Sequence, residues 1–185
     1  MRERILIAAY ACIARYGLAK TTVEDVARES GLSRASVYRT FPGGRDELIR
    51  EFVAWQIAEF FADLADAVAD AGSFEDVVEV ALLHAHRAVG EHALLQKLLL
   101  TEPERLVPTL TMETSRFVPL IAAFIEPHLA SEPLRDGIDV AEASDYVARM
   151  VVSHIGAQGR WDLTDPDQVR TLVRTEILAG ILATQ

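Results

Sequence analysis

The chain has 185 residues, 50% of them hydrophobic and 25% charged, with 28 Asp and Glu against 18 Lys and Arg for a formal net charge of −10. That length and apolar content fit one or two domains with a sizeable core, and repeats or low-complexity tracts are absent. A lone cysteine, Cys12, excludes a disulfide framework and suits a reducing cytoplasm, while the lack of an apolar leader or of a run of about 18 apolar residues argues against secretion and membrane spanning.

The charge is unevenly placed. Residues 1–50 hold nine basic and six acidic side chains, a net of +3, and the remainder holds nine basic and 22 acidic, a net of −13. The change of sign marks a boundary near residue 50 and confines any contact with a polyanion to the N-terminal part.

Residues 2–16 set Ile5, Ala9, Cys12, Ile13 and Tyr16 at helical spacing, and Gly17 stops that helix. Thr22 is placed to cap a second helix, with Asp25 as its capping-box partner and Val23, Val26 and Ala27 as its apolar face. Gly31 stands where a helix end requires a left-handed residue. Ser33 then caps a third helix, Arg34 to Phe41, in which Val37 and Phe41 face inward. Arg34, Ala35, Ser36, Tyr38 and Arg39 share its outer surface, and Pro42-Gly43-Gly44 turns the chain.

Two short helices crossing through a Gly-containing turn form a helix-turn-helix, whose second helix fits the major groove of B-form DNA. Arg34 and Arg39 suit base edges or phosphates, and Ser36 and Tyr38 suit phosphate oxygens. The alternative is a plain αα-hairpin with solvated arginines. A short helix with little apolar surface and a dense set of phosphate-compatible donors favours DNA.

The segment from Arg2 to about Arg50 resembles the DNA-binding domain of the TetR (tetracycline repressor) family of bacterial transcription regulators. The likeness rests on Tyr16-Gly17, Thr21-Thr22, Val23 to Ala27, Gly31-Leu32-Ser33, Val37-Tyr38, Phe41 and the basic–acidic–Leu48 ending. Ala35, Thr40 and Arg45 depart from the common pattern, where Gly, an aromatic or His, and Lys are frequent. The resemblance implies an all-α chain of about nine helices, with a helix-turn-helix head over residues 1–45 and a helical ligand-binding and dimerisation body over 46–185. It further implies a homodimer on a palindromic double-stranded DNA operator. Arg34, Ala35, Ser36, Tyr38 and Arg39 would lie in the groove, and Thr22, Ser33, Thr40 and Arg45 would hold phosphates.

Beyond the head, residues 46 to about 71 form a long helix and residues 74 to 90 a helix apolar around most of its circumference. His84 and His86 lie about 200° apart on that helix, which is unsuited to sharing a metal. Leu-rich residues 93–100 follow. Pro103, Pro108, Pro119 and Pro127 then predict short kinked helices around an apolar cavity. With the resemblance, the residues expected on a hydrophobic effector are Phe61, His84, Leu98, Leu110, Met112, Phe117, Ile121, Phe124, Met150 and His154. Two last helices, Val140 to about Gln158 and Pro166 to Leu182, are capped by Asp139 and Asp165. The family pairs such helices between copies, so Val147, Val151, Val169, Leu172, Val173, Glu176, Ile177, Gly180 and Ile181 are the expected dimer contacts.

No G-x-S-x-G, metal-ligand cluster or phosphate-cradling glycine loop is present, so neither enzyme activity nor a cofactor is expected. The leading expectation is a ligand-responsive repressor, released from DNA by an apolar small molecule. An architectural or protein-interaction module without a ligand is the alternative.

Overall fold

A computed structural model describes residues 1–157 and 159–183, the side chains of 105–116 excepted. The described residues form nine α-helices and one π-helical turn, with no β-structure beyond a single bridge between Leu134 and Leu182. The chain divides into two compact units, residues 1–63 with 92–108, and residues 64–91 with 109–185. The boundary expected at 45/46 falls at the start of a helix inside the first of these.

In the first unit, α1 (Arg2–Tyr16) buries Ile5, Ala9, Cys12 and Ile13, and it packs on α2 (Val23–Ser30). α3 (Arg34–Thr40) contributes Val37, and Phe41 just beyond it is wholly buried. The opening of α4 (Gly44–Val68) closes this core with Leu48 and Phe52. Each such fully buried side chain adds about 1.5–3 kcal/mol.

The short α6 (Ala93–Thr101) belongs to the same unit, inserting Leu94 and Leu98. Its N-cap is His92, whose ring Nδ1 accepts the Leu95 N–H at 3.1 Å. Two polar contacts fasten its far end to the head. Lys97 donates to the Ala14 carbonyl, and Glu102 Oε2 accepts the Ala19 N–H at 2.8 Å. A φ of 85° favours glycine at Gly17, where a Cβ would stand 1.9 Å from the other Glu102 oxygen and so displace that carboxylate.

The second unit is built on α5 (Phe74–Glu91), which Ser73 opens by accepting the Asp76 N–H at 3.2 Å. Phe74, Val78 and Leu82 of α5 are buried, against α8 (Val140–Gly156) and α9 (Pro166–Leu172). Asp139 and Asp165 cap these last helices as expected, accepting the N–H groups of Glu142 and Asp167 at 3.0 Å each. Residues 181–183 are secured to the segment preceding α8 by Arg135 N–H to Ile181 O at 3.0 Å and Ala183 N–H to Pro133 O at 2.9 Å.

Two expectations about the helices are corrected. The proline-rich stretch is one helix, α7 (Pro103–Leu129), rather than several kinked pieces. Pro103 takes the first position, where its missing N–H is harmless. Pro119 and Pro127 lie on the exposed side, away from buried Val118, Ile125 and Leu129. Long helices already stretch their hydrogen bonds on the solvent side, so a lost donor is tolerated best there.

The last helix, expected to reach Leu182, stops at Leu172 and continues as a π-turn, Val173–Ile177, closed by Leu178 N–H to Val173 O at 2.8 Å. The hydroxyls of Thr171 and Thr175 bond back to the carbonyls four residues earlier, at 2.8 and 2.7 Å, a pattern that bends helices.

The apolar residues assigned to a dimer contact, Val147, Val151, Val169, Leu172, Val173, Ile177 and Ile181, are instead at most 7% exposed within one chain. Their periodicity marked a buried face correctly, but the chain itself covers that face. Of the assigned set, only half-buried Glu176 and exposed Gly180 lie at the surface.

Candidate nucleic-acid interface and ligand cavity

The turn between α2 and α3 is specified by local chemistry. Thr22 Oγ1 accepts the Asp25 N–H at 3.1 Å and donates to Asp25 Oδ2 at 2.6 Å, while the Thr22 N–H reaches the same carboxylate at 3.3 Å. This closes a reciprocal capping box. The Thr22 hydroxyl first, and then Arg28 at 2.6 Å, hold the Asp25 carboxyl below the usual carboxylate range. Gly31 adopts φ 65°, and a Cβ there would stand 2.8 Å from the Arg4 guanidinium. The Leu32 N–H bonds to the Ala27 carbonyl at 3.0 Å, completing the helix end.

α3 is pre-ordered from its first residue. Ser33 Oγ accepts the Ser36 N–H at 3.2 Å and lies 3.0 Å from Ser36 Oγ. Ser36 Oγ in turn accepts from Arg39 Nη2 at 3.2 Å, and the Thr40 hydroxyl bonds back to the Ser36 carbonyl at 2.9 Å. Ser33, Arg34, Ala35, Tyr38 and Arg39 are exposed, as is Thr22, while Ser36 and Thr40 are half-buried beside them. With Val37 and Phe41 turned inward, these side chains form one outward face of donors.

The two arginines of that face differ. Arg34 Nη1 lies 3.3 Å from Glu24 Oε1 on α2. Among the described residues, Arg39 has no ion pair, its hydrogen bond going to Ser36 alone. Glu24 was missed by the sequence reading, although acidic residues in the first turn of α2 were its available signal.

Arg45 is corrected too. Its Nε donates to the Thr21 carbonyl at 2.8 Å and its Nη2 to the Leu18 carbonyl. It fastens the α1–α2 connection to α4 instead of standing ready for a phosphate. Cys12 is buried in the same unit, and burial first, with Glu29 and Asp25 adding, raises its thiol above the ordinary range. A protonated, covered thiol does not serve as a redox sensor.

The second unit holds a cavity of about 740 Å³, lined by Ala67, Val80, Leu83, His84, His86, Arg87, Gly90, Glu91, Leu163 and Thr164. Of the expected ligand residues it brings in His84 alone. Leu98 is buried in the first unit, and Phe61 lies in that unit edge-to-face with Phe60 at 5.4 Å between centroids. Phe117, Ile121, Phe124, Met150 and His154 are half-buried in the second unit and are not among the lining residues. Leu110 and Met112 lie outside the described side chains. The sequence signal for the cavity was α5 itself, an apolar helix interrupted by His84, His86 and Arg87.

His154 lies 4.0 Å from Glu176, which also pairs with Arg160 at 2.7 Å. The Thr164 hydroxyl donates to Asp162 at 2.6 Å, and that bond first, with the Thr164 N–H second, lowers the Asp162 carboxyl, His86 adding a smaller pull. Among the described residues no cluster of three metal-ligating side chains exists, and no helix is long and apolar enough to cross a membrane.

A capped α2–Gly turn–α3 unit with an outward face of arginine and hydroxyl groups is a helix-turn-helix domain. Residues 5–52 match the family model "Bacterial regulatory proteins, tetR family". The chain is 31% identical over 116 residues to the HTH-type transcriptional regulator Rv2250c of Mycobacterium tuberculosis, covering 62% of this chain and 58% of that protein. A second regulator of that organism, Rv0196, is 42% identical over 52 residues, 28% of this chain and 27% of the relative. Among solved structures, the transcriptional regulator SCO7518 of Streptomyces coelicolor has a TM-score of 0.65 at 19% identity, with 94% of this chain and 95% of that one covered. FadR of Bacillus subtilis, solved with stearoyl-CoA, has a TM-score of 0.57 at 16% identity, with 95% and 98% covered. At such identities these two structures show the fold. The family match thus lies over residues 5–52, the N-terminal domain, and the chain spans less than two thirds of the length of the regulators it is similar to.

Proposed function

We propose that the chain is a ligand-responsive transcription regulator, a repressor, that binds a palindromic operator as a homodimer and is released by a small molecule. The observation that carries this is α3: a pre-ordered, outward face in which Arg39 has no carboxylate partner among the described residues. Such an arginine is suited to the O6 and N7 acceptors of guanine or to a phosphate. Arg34, Ser36 and Tyr38 extend the same face, with Thr22, Ser33 and Thr40 at its margin.

The cavity in the second unit is the effector site of this proposal. A volume of about 740 Å³ with apolar walls and a few polar groups is of the ordinary size for a small-molecule site. The regulator acts by linkage. The effector must bind the DNA-free form more tightly, and DNA must weaken the effector by the same factor. Since Val147, Val151 and Ile177 are covered by their own chain, pairing between copies uses the outer side of α8, where Tyr146 is 43% exposed.

The test is selection of bound duplexes from a random-sequence library by the purified chain. The expected product is an inverted repeat whose half-sites are centred about one helical turn apart or a multiple of it. Recovery of unenriched sequence at physiological salt would show a non-specific binder and end the repressor proposal.

A further inference from the structure

We infer that the cavity takes an amphiphile with a single acidic head, a monocarboxylate, and that Arg87 is the residue that selects it; this rests on the cavity being the effector site. The walls divide by chemistry. Ala67, Val80, Leu83 and Leu163 supply an apolar surface, whereas His84, Arg87 and Glu91 project from successive turns of α5. Arg87 is exposed on the lining, and among the described residues no hydrogen bond or ion pair engages its guanidinium. A guanidinium presents five N–H groups in a rigid fork that matches a carboxylate in bidentate fashion.

Donors outweigh acceptors along this lining. Arg87 brings five N–H groups against the one carboxylate of Glu91. The Thr164 hydroxyl is already committed to Asp162 at 2.6 Å. A bound group therefore finds more to accept from than to donate to, and an oxygen-rich acid satisfies it. Glu91 also sets the charge of the head. One arginine and one glutamate four residues apart on α5 offer a single cation, so a monoanion paired with Arg87 leaves one uncompensated negative charge, whereas a dianion such as a phosphate monoester leaves two. A monoanion is therefore the charge state of an acidic head that the lining opposes least.

Gly90 gives the means to test occupancy without disturbing the fold. It lines the cavity within α5, its φ is not left-handed, and a Cβ built on it meets no atom within 4 Å. Gly90→Phe therefore fills open space, and replacing a helical glycine favours the helix. The full chain is titrated by calorimetry with octanoate, octanol and octyltrimethylammonium, which share one tail and differ only in the head.

Octanoate is expected to bind at least about tenfold more tightly than octanol, the range for a hydrogen bond to a charged group, with the ammonium weakest. Arg87→Gln removes that preference, Arg87→Lys keeps part of it, and Gly90→Phe abolishes binding of all three. If octanol or the ammonium matches octanoate while Gly90→Phe still abolishes binding, the acid-selecting role is overturned and the cavity remains the ligand site. Should none of the three bind, or should Gly90→Phe bind them as wild type does, the cavity itself is refuted as the effector site, and the inference goes with it.

Discussion

Arg39 and Arg45 are both arginines of the head, but the structure gives them opposite work. Arg39 points outward from α3 with one neutral partner, so its removal should leave the fold intact and weaken operator binding. A lost arginine–base contact costs about 1–3 kcal/mol, so Arg39→Ala should raise the Kd roughly tenfold or more in a fluorescence-anisotropy titration, with relaxed preference at one base position. Arg45 is spent on the carbonyls of Thr21 and Leu18, and Arg45→Ala should instead lower the thermal midpoint of the head. Charged hydrogen bonds are worth about 1.5–3 kcal/mol, and partial exposure puts this pair towards the low end. Asp25 adds a pH dependence. Its folded carboxyl titrates below the ordinary value, so its contribution is complete above the usual carboxylate range and fades as pH falls through that lowered value. The melting difference between wild type and Thr22→Ala should accordingly narrow as the solution is acidified below about pH 4.

Ile177 settles an argument at the level of whole elements. It is fully buried in the π-turn of one chain, so Ile177→Ala should destabilise the protein by about 2–4 kcal/mol through the cavity it leaves. Size-exclusion chromatography should show its association unchanged while denaturant midpoints fall, and dissociation without loss of stability would return Ile177 to the interface. The reason the sequence offered Ile177 as a contact between copies separates what was legible from what was not. The caps of α2, α3, α8 and α9 were legible because Thr22 with Asp25, Ser33 with Ser36, Asp139 with Glu142 and Asp165 with Asp167 are partners within one turn. An apolar stripe carries no such information about its partner. Val147 and Ile177 show that a face is buried, and say nothing of whether the same chain or a copy buries it. Pro119 and Pro127 misled for a related cause, because the penalty of a helical proline depends on which side of the helix it occupies. Arg45 was given a phosphate through the family resemblance, and its carbonyl partners, 24 and 27 residues away, leave no local signal in the sequence. The cavity was beyond reach for the same reason, since Leu163 meets α5 only in the folded chain.

Across the whole molecule, charge decides how DNA is approached. A net of +3 over residues 1–50 against −13 over the rest directs a polyanion to the head and away from the body. Binding should therefore weaken steeply with salt, log K falling with log salt by about 0.9 for each phosphate neutralised. A flat response would mean that phosphates are not the anchor. Several head cations are already shared, however, Arg28 with Asp25 at 2.6 Å and Arg34 with Glu24 at 3.3 Å. Each such pair must be partly surrendered when a phosphate or base takes the arginine. Glu24→Gln keeps the size and hydrogen-bonding shape of the side chain while releasing Arg34 from its carboxylate. It should tighten binding at low salt and steepen the salt dependence by roughly one unit per head, the sign of one further phosphate contact. Tighter binding with an unchanged slope would place Arg34 on a base edge instead. An unchanged affinity would show that Glu24 neither restrains Arg34 nor repels the duplex, leaving Arg39 as the cation on which the groove contact depends.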